Sequence, residues 1–128
     1  MILQKGNLFT PVTRSDDEFV EILTSNHTTQ NRTTQNRTTQ SGQVPKSGQV
    51  RIERIVSEGH VSPAGFWYDQ SEWEYVAVLQ GSAELETETG KISLNAGDWA
   101  IIPEHEKHRV SYTSSEPPCV WLAVFWKE

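Results

Sequence analysis

Residues 74–103 read EYVAVLQGSAELETETGKISLNAGDWAIIP, a series of short strand-like runs broken by glycine turns that leaves little room for helices. Residues 74–79 are β-branched and apolar and end at Gln80-Gly81; residues 82–88 alternate small or apolar with charged side chains, the pattern of a strand with one wet face. Thr89-Gly90 and Asn95-Ala96-Gly97-Asp98 turn the chain on either side of a short strand at 91–94. Residues 99–102 read as a buried strand that Pro103 terminates. Strands recurring about every eight to twelve residues between glycine turns predict an all-β, antiparallel sandwich or barrel.

The flanking sequence extends this pattern. Val50, Ile52, Ile55 and Val56 mark a strand that also carries Arg51, Glu53 and Arg54. After a turn-rich loop at 59–65 comes an aromatic strand, Phe66-Trp67-Tyr68-Asp69-Gln70, leading into Ser71-Glu72. A tight bend at Ser71-Glu72 would bring Gln70 close to Glu74. Residues 119–126, CVWLAVFW, are apolar at both parities, so both faces of that strand need cover. One face can line a barrel interior; the other calls for an N-terminal helix or a second subunit, and a homodimer through this outer sheet is expected.

Ser15-Asp16-Asp17-Glu18 has the form of a capping box, and Phe19, Ile22 and Leu23 follow at helical spacing. A short helix is therefore expected over residues 16–24, its apolar side, with Leu8 and Phe9, covering an outer face of a barrel. Next come three tandem pentads, NHTTQ, NRTTQ and NRTTQ, and two copies of Ser-Gly-Gln-Val. Such polar repetition has no apolar period to bury and reads as a flexible insertion, with a small hairpin or swapped arm as the alternative. The expected division is an arm and helix at 1–25, a low-complexity insertion at 26–48 and a barrel at 49–128.

Charge and composition exclude several function classes. The net charge of −6 argues against nucleic acid as a partner, which needs clustered Lys and Arg. No apolar run is long enough to span a bilayer as a helix. With the single Cys119 no internal disulfide can form, and without a basic, apolar leader at the N-terminus a cytoplasmic location is expected. Cys119 lies within an apolar strand, and no Ser-His-Asp or Cys-His arrangement is evident.

Glu74, six residues and Gly81, followed by Gly97, five residues, Pro103 and then His108 five positions on, resemble the two motifs of the cupin superfamily. The resemblance covers roughly residues 50–126 and implies a small jelly-roll barrel whose open end holds a metal or a small ligand. Metal-binding cupins usually carry a His-x-His pair shortly before the glutamate. Aligned on Glu74, those positions hold Tyr68 and Gln70; counted from Gly59, they hold Gly65 and Trp67. His105 stands where the family usually has glycine, and Tyr112 where it often has asparagine. Of four expected ligands, Glu74 and His108 remain.

A carboxylate, an imidazole and an amide oxygen suit Zn, Ni, Fe or Mn, so Glu74, His108, Gln70 and Tyr68 form the candidate metal set. The structural alternatives are an ion pair for Glu74 and a backbone carbonyl partner for His108. The candidate ligand pocket comprises Trp67, Asp69, Trp99, His60 and Arg109, with His60 roofing it and Arg109 gripping a carboxylate. His105 reads as an exposed loop histidine. Trp67, Tyr68, Trp73, Tyr75 and Trp99 offer either a stacking wall for a planar or sugar-like ligand or plain core. Three functions compete: a barrel binding a divalent metal, a small polar ligand such as a carboxylate or sugar, or both; a metal-dependent oxygenase or isomerase; and a metal-free structural or sensory barrel.

Overall fold

The structure, a computed structural model, describes residues 3–24, 29–32 and 48–128. Among these residues the chain forms nine strands: β1 Glu18–Ile22, β2 Thr29–Arg32, β3 Val50–Ser57, β4 Trp73–Gln80, β5 Ser82–Thr87, β6 Gly90–Asn95, β7 Trp99–Ile102, β8 His108–Thr113 and β9 Cys119–Trp126. They build a six-stranded sheet in the order β2-β1-β3-β9-β4-β7 and a three-stranded sheet in the order β6-β5-β8. Every pairing is antiparallel. The two sheets enclose one core, the antiparallel sandwich or barrel expected from the glycine-punctuated strands and the jelly roll that the motif resemblance implies. Among the described residues no helix is long and apolar enough to cross a membrane.

The helix expected over residues 16–24 is a strand. Glu18, Val20 and Ile22 are buried while Phe19 and Glu21 are less so, a period of two, and Phe19–Ile22 pair with Val56–Glu53 of β3. Ser15 Oγ still accepts the Asp17 N–H, at 3.2 Å, but as a local turn before the strand. Glu18 turns inward and accepts a hydrogen bond from Ser57 Oγ at 3.3 Å instead of closing a capping box. The preceding arm crosses the outside of β3, where Arg54 Nη1 donates to the Leu8 and Thr10 carbonyls at 3.3 and 2.8 Å and Arg54 Nε donates to Glu21 Oε1 at 2.9 Å. Covering an outer face is thus the task of an extended segment. Within the repeat region, Thr29–Arg32 pairs with β1; residues 26–28 and 33–47 of the expected insertion lie outside the described residues.

Register arranges the interior by polarity. Across the large sheet Ile55, Trp121 and Val78 face inward in one row, and Glu53, Ala123 and Val76 in the next. The row after that runs Arg51, Phe125, Glu74 and Ile102. The middle of the barrel is therefore apolar, with Ile55, Val78, Trp121 and Phe125 at most 1% exposed, each contributing roughly 1.5–3 kcal/mol of burial. One end, by contrast, is polar and buried. Gly81 joins β4 to β5 at φ 76, and a Cβ there would meet Ser114 Oγ and lie 2.9 Å from the Pro118 carbonyl, so the turn needs glycine.

Candidate functional site

Alternation fixes which residues reach the polar end. In the run from Tyr68 to Glu74, the side chains of Tyr68, Gln70, Glu72 and Glu74 are buried, with 1, 4, 1 and 1% exposure. The intervening Trp67, Asp69, Ser71 and Trp73 face outward to varying degrees. Opposite them, β8 begins at His108, 1% exposed, and a two-way bridge links the chains: Tyr68 N–H to the His108 carbonyl at 2.7 Å and His108 N–H to the Tyr68 carbonyl at 3.1 Å. The two rings stack with centroids 5.3 Å apart.

Within this cluster His108 Nε2 and Glu74 Oε1 are 3.7 Å apart, too far for a direct hydrogen bond. Gln70 Nε2 donates to Glu74 Oε1 at 3.2 Å, in line with the proximity expected from the bend at Ser71-Glu72. His108 Nδ1 lies 2.8 Å from the Glu106 carbonyl, so it carries the proton and leaves Nε2 as a lone pair aimed inward. The backbone partner anticipated as the structural alternative is present, on the far nitrogen from Glu74. Both His108 Nε2 and Gln70 Oε1 are buried without a hydrogen-bond partner among the described residues.

Those orphaned atoms fit a divalent cation. Glu74, His108 and the Gln70 amide oxygen supply oxygen and nitrogen donors, and a 3.7 Å gap lets both Glu74 and His108 reach one ion at bond lengths of about 2.0–2.2 Å. Tyr68, lying flat against His108, borders the same space. Among the described residues no group of three or more His, Cys, Asp and Glu side chains could hold a metal, so any such shell depends on Gln70.

Beside Glu74 lies a charged network that the sequence reading did not single out. Arg51 donates through Nε to Glu53 Oε2 at 2.9 Å and through Nη1 and Nη2 to the two oxygens of Glu72 at 3.2 and 3.0 Å, while its guanidinium sits 4.2 Å above the Phe125 ring. Burial pushes the Glu72 pKa up; Arg51 pulls it down, and neighbouring Glu74 and Glu53 push it up again. The available signal was parity: a strand that sends Ile55 inward must send Glu53 and Arg51 inward too. Charged residues are ordinarily read as solvated, and the apolar positions of β3 fit neither face cleanly.

Of the candidate pocket residues, several lie elsewhere. Trp99 is 58% exposed on the outer face, stacked with Tyr75 at 5.8 Å, because Ile102 rather than its opposite-parity neighbours pairs with Glu74. His60 belongs to the opposite end: its carbonyl accepts from Thr113 at the far end of β8, its Nδ1 accepts the Glu58 N–H at 2.9 Å and its Nε2 meets the Ser15 carbonyl at 3.0 Å. Arg109, next to His108 and of opposite parity, is bonded to Glu86 and to the Phe66, Ser62 and Pro63 carbonyls, stapling the 62–68 loop. Trp67 lies under Arg109 with 6.0 Å from guanidinium to ring centroid. The expected stacking wall is reduced to Tyr68, since Trp73 stacks with Trp126 outside.

Asp69 sits on the rim. Its Oδ1 meets His105 Nδ1 at 2.8 Å, and the His105 N–H donates to the Gln70 carbonyl at 2.7 Å. His105 adopts φ 60, the left-handed conformation that glycine takes most easily, which accounts for a glycine being usual at this position of the motif. This exposed clasp ties the loop after Pro103 to the segment that carries Gln70, where the aromatic strand expected over residues 66–70 is reduced to the single Tyr68–His108 bridge.

The comparisons agree with this architecture. The Cupin_2 cupin-domain model matches residues 54–125. A crystal structure from Ralstonia eutropha JMP134, provisionally described as a mannose-6-phosphate isomerase, is 35% identical, with 98% of this chain and 100% of that one covered and a TM-score of 0.75. A cupin superfamily protein from Desulfitobacterium hafniense DCB-2 is 15% identical over 92% of this chain and 84% of its own, with a TM-score of 0.62. A sugar phosphate isomerase of the cupin superfamily from Silicibacter pomeroyi DSS-3 is 20% identical over 63% of this chain and 52% of its own, with a TM-score of 0.51. The last two are likenesses of fold. No curated protein matches the sequence. On the matched domain and on a full-length relative of this similarity, the chain belongs to the cupin family.

Proposed function

We propose that this cupin binds a divalent cation together with a small polar ligand at the polar end of its barrel, through Glu74 and His108 with Gln70 and Tyr68 beside them. The observation that carries the reading is the pair of buried, unpartnered atoms, His108 Nε2 and Gln70 Oε1, facing Glu74. Leaving such groups dry and unsatisfied costs about 1–3 kcal/mol each, which an ion or a ligand would recover. A bound cation would act as a Lewis acid on a carbonyl or hydroxyl of the ligand. The chain's own part is orientation: Glu106 fixes the His108 tautomer, and Gln70 holds the Glu74 carboxylate. Titration with Mn2+, followed by water proton relaxation, tests the cation. Saturable binding that weakens more than tenfold in Glu74→Gln and His108→Ala is expected; no binding to the wild type would sink the reading.

Turnover is a second reading, in which this is a metal-dependent isomerase rather than an oxygenase. It is supported by the 35% identity to the Ralstonia protein over essentially both chains. Aldose–ketose interconversion moves a proton between neighbouring carbons, a step that Lewis-acid polarisation of the adjacent carbonyl would ease, with Glu74 and His108 as the residues that would hold the ion. Proton NMR of an aldose in D2O with metal-loaded protein would reveal it as loss of the C2–H signal, absent in Glu74→Gln. An unchanged signal under metal-saturating conditions leaves the binding reading alone.

A further inference from the structure

We infer that residues 103–107 form a lid over the polar end of the barrel and that His105 is its latch. This rests on the reading above that the polar end is the binding site, whereas the opening of the lid can be measured without a bound ion. Tyr68, Gln70, Glu72, Glu74 and His108 are each at most 4% exposed, so nothing from solvent reaches them until some part of the wall moves. The wall opens where it is held least.

Strand ladders hold most of it. β3 pairs with β9 along its whole length, and β4 is bonded to β9 on one side and to β7 on the other. The stretch before β4 is pinned at its start, where Arg109 bonds the Ser62, Pro63 and Phe66 carbonyls. It is pinned again at Tyr68, by the two-way bridge to His108, and at Glu72, by the Arg51 guanidinium. Gln70 lies between these last two pins, and from outside its backbone meets the loop that follows β7.

That loop, Pro103 to Lys107, is exposed at every residue. Among the described residues, its two hydrogen bonds to the 66–72 segment both come from His105: the N–H donates to the Gln70 carbonyl at 2.7 Å, and Nδ1 lies 2.8 Å from Asp69 Oδ1. The Glu106 N–H turns back on the Pro103 carbonyl, and the Glu106 carbonyl meets His108 at the foot of the loop. His105 holds φ 60, a left-handed conformation that a residue with a Cβ keeps only while its surroundings enforce it. The closed form is thus maintained by two contacts and opposed by the backbone between them. The His105 and Asp69 side chains are 64 and 46% exposed, so water competes for their contact and the latch opens and recloses readily. A lid held in this way screens the site at rest and admits a small solute without any strand giving up its ladder.

The test is the rate at which diethyl pyrocarbonate acylates His108 in the full-length chain, followed by peptide mass mapping; the reagent needs an unprotonated ring nitrogen, which His108 Nε2 supplies only when the lid opens. In the wild type His108 is expected to react far more slowly than His105. Asp69→Ala and His105→Gly, the second keeping the left-handed turn while deleting the ring, should each raise the His108 rate at least about threefold, and the double variant no further, because both remove one contact. His60, at the opposite end of the barrel, should keep its wild-type rate throughout. The inference is overturned if His108 in the wild type reacts as fast as His105, if either single variant leaves its rate unchanged, or if the two effects add. A rise shared by His60 also overturns it, since the whole barrel would then have loosened. Repeating the reaction with Mn2+ separates the two readings: a latch effect without protection of His108 by Mn2+ keeps the lid and counts against the cation.

Discussion

Glu74 Oε1 and His108 Nε2 face one another across 3.7 Å in the buried end of the barrel. The distance is held from both sides: Gln70 bonds the carboxylate, and the Glu106 carbonyl bonds the far nitrogen of the imidazole. The oxygen that Gln70 bonds is the one that faces the imidazole, and the imidazole nitrogen that faces it is the one Glu106 leaves unbonded.

Arg51 is the residue on which this end of the barrel depends for stability. It is bonded to Glu53 and bidentately to Glu72, all three being buried. Removing one partner from such a network leaves uncompensated charge, and Arg51→Met is expected to cost about 3–5 kcal/mol in urea unfolding. Adding Glu53→Gln and Glu72→Gln should recover much of that loss. A cost below about 1 kcal/mol for Arg51→Met would mean that the network carries little.

Glu72 gives a pH dependence of definite sign. Its pKa is raised above 4.5, first by burial, so the folded state favours its protonated form. That contribution is fully present below pH 4.5 and is lost as pH rises through the raised value. The stability of the wild type relative to Glu72→Gln should therefore fall as pH increases from 4.5 toward neutrality. A difference that grows with pH over that range would contradict the assignment.

Cys119 should be chemically silent in the native protein. It is fully buried in β9, and its thiol is pushed up to about 12, first by burial and then by the Glu18 charge. Ellman's reagent is expected to react only after unfolding in denaturant. Prompt reaction of the native protein would place this strand at an accessible surface.

The outer face of the large sheet is where we propose a second copy of the chain docks. Trp99 and Ile101 are 58 and 48% exposed, beside the Tyr75–Trp99 and Trp73–Trp126 stacks. An apolar patch of this kind is characteristic of association. Size-exclusion chromatography with light scattering should give a dimer for the wild type and a monomer for the combined Trp99→Lys, Ile101→Lys variant. A monomeric wild type would defeat the proposal.

Local chemistry made part of this legible in advance. Glycine turns at Gly81, Gly90 and Gly97 punctuated the strands because positive φ is a local demand. Glu74 and His108 stood out through the resemblance to the cupin motifs, and the bend bringing Gln70 to Glu74 through the local turn at Ser71-Glu72. The strand at Glu18–Ile22 was not legible: Ser-x-x-Glu and apolar residues at helical spacing describe a helix equally well, and pairing with β3, more than thirty residues on, decides the matter. Trp99, His60 and Arg109 were misplaced because sequence proximity to a motif does not specify which face a side chain takes. Arg51, Glu53 and Glu72 escaped because a buried ion network is legible only once its strands are in register.

The central claim is most directly tested by elemental analysis of untagged, full-length protein, purified without chelators, then offered Mn, Zn, Ni and Fe and desalted. The expected result is a near-stoichiometric divalent ion in the wild type that is lost in both Glu74→Gln and His108→Ala while their folds persist by circular dichroism. A wild type that stays empty with every ion, or variants that keep the ion, would contradict it.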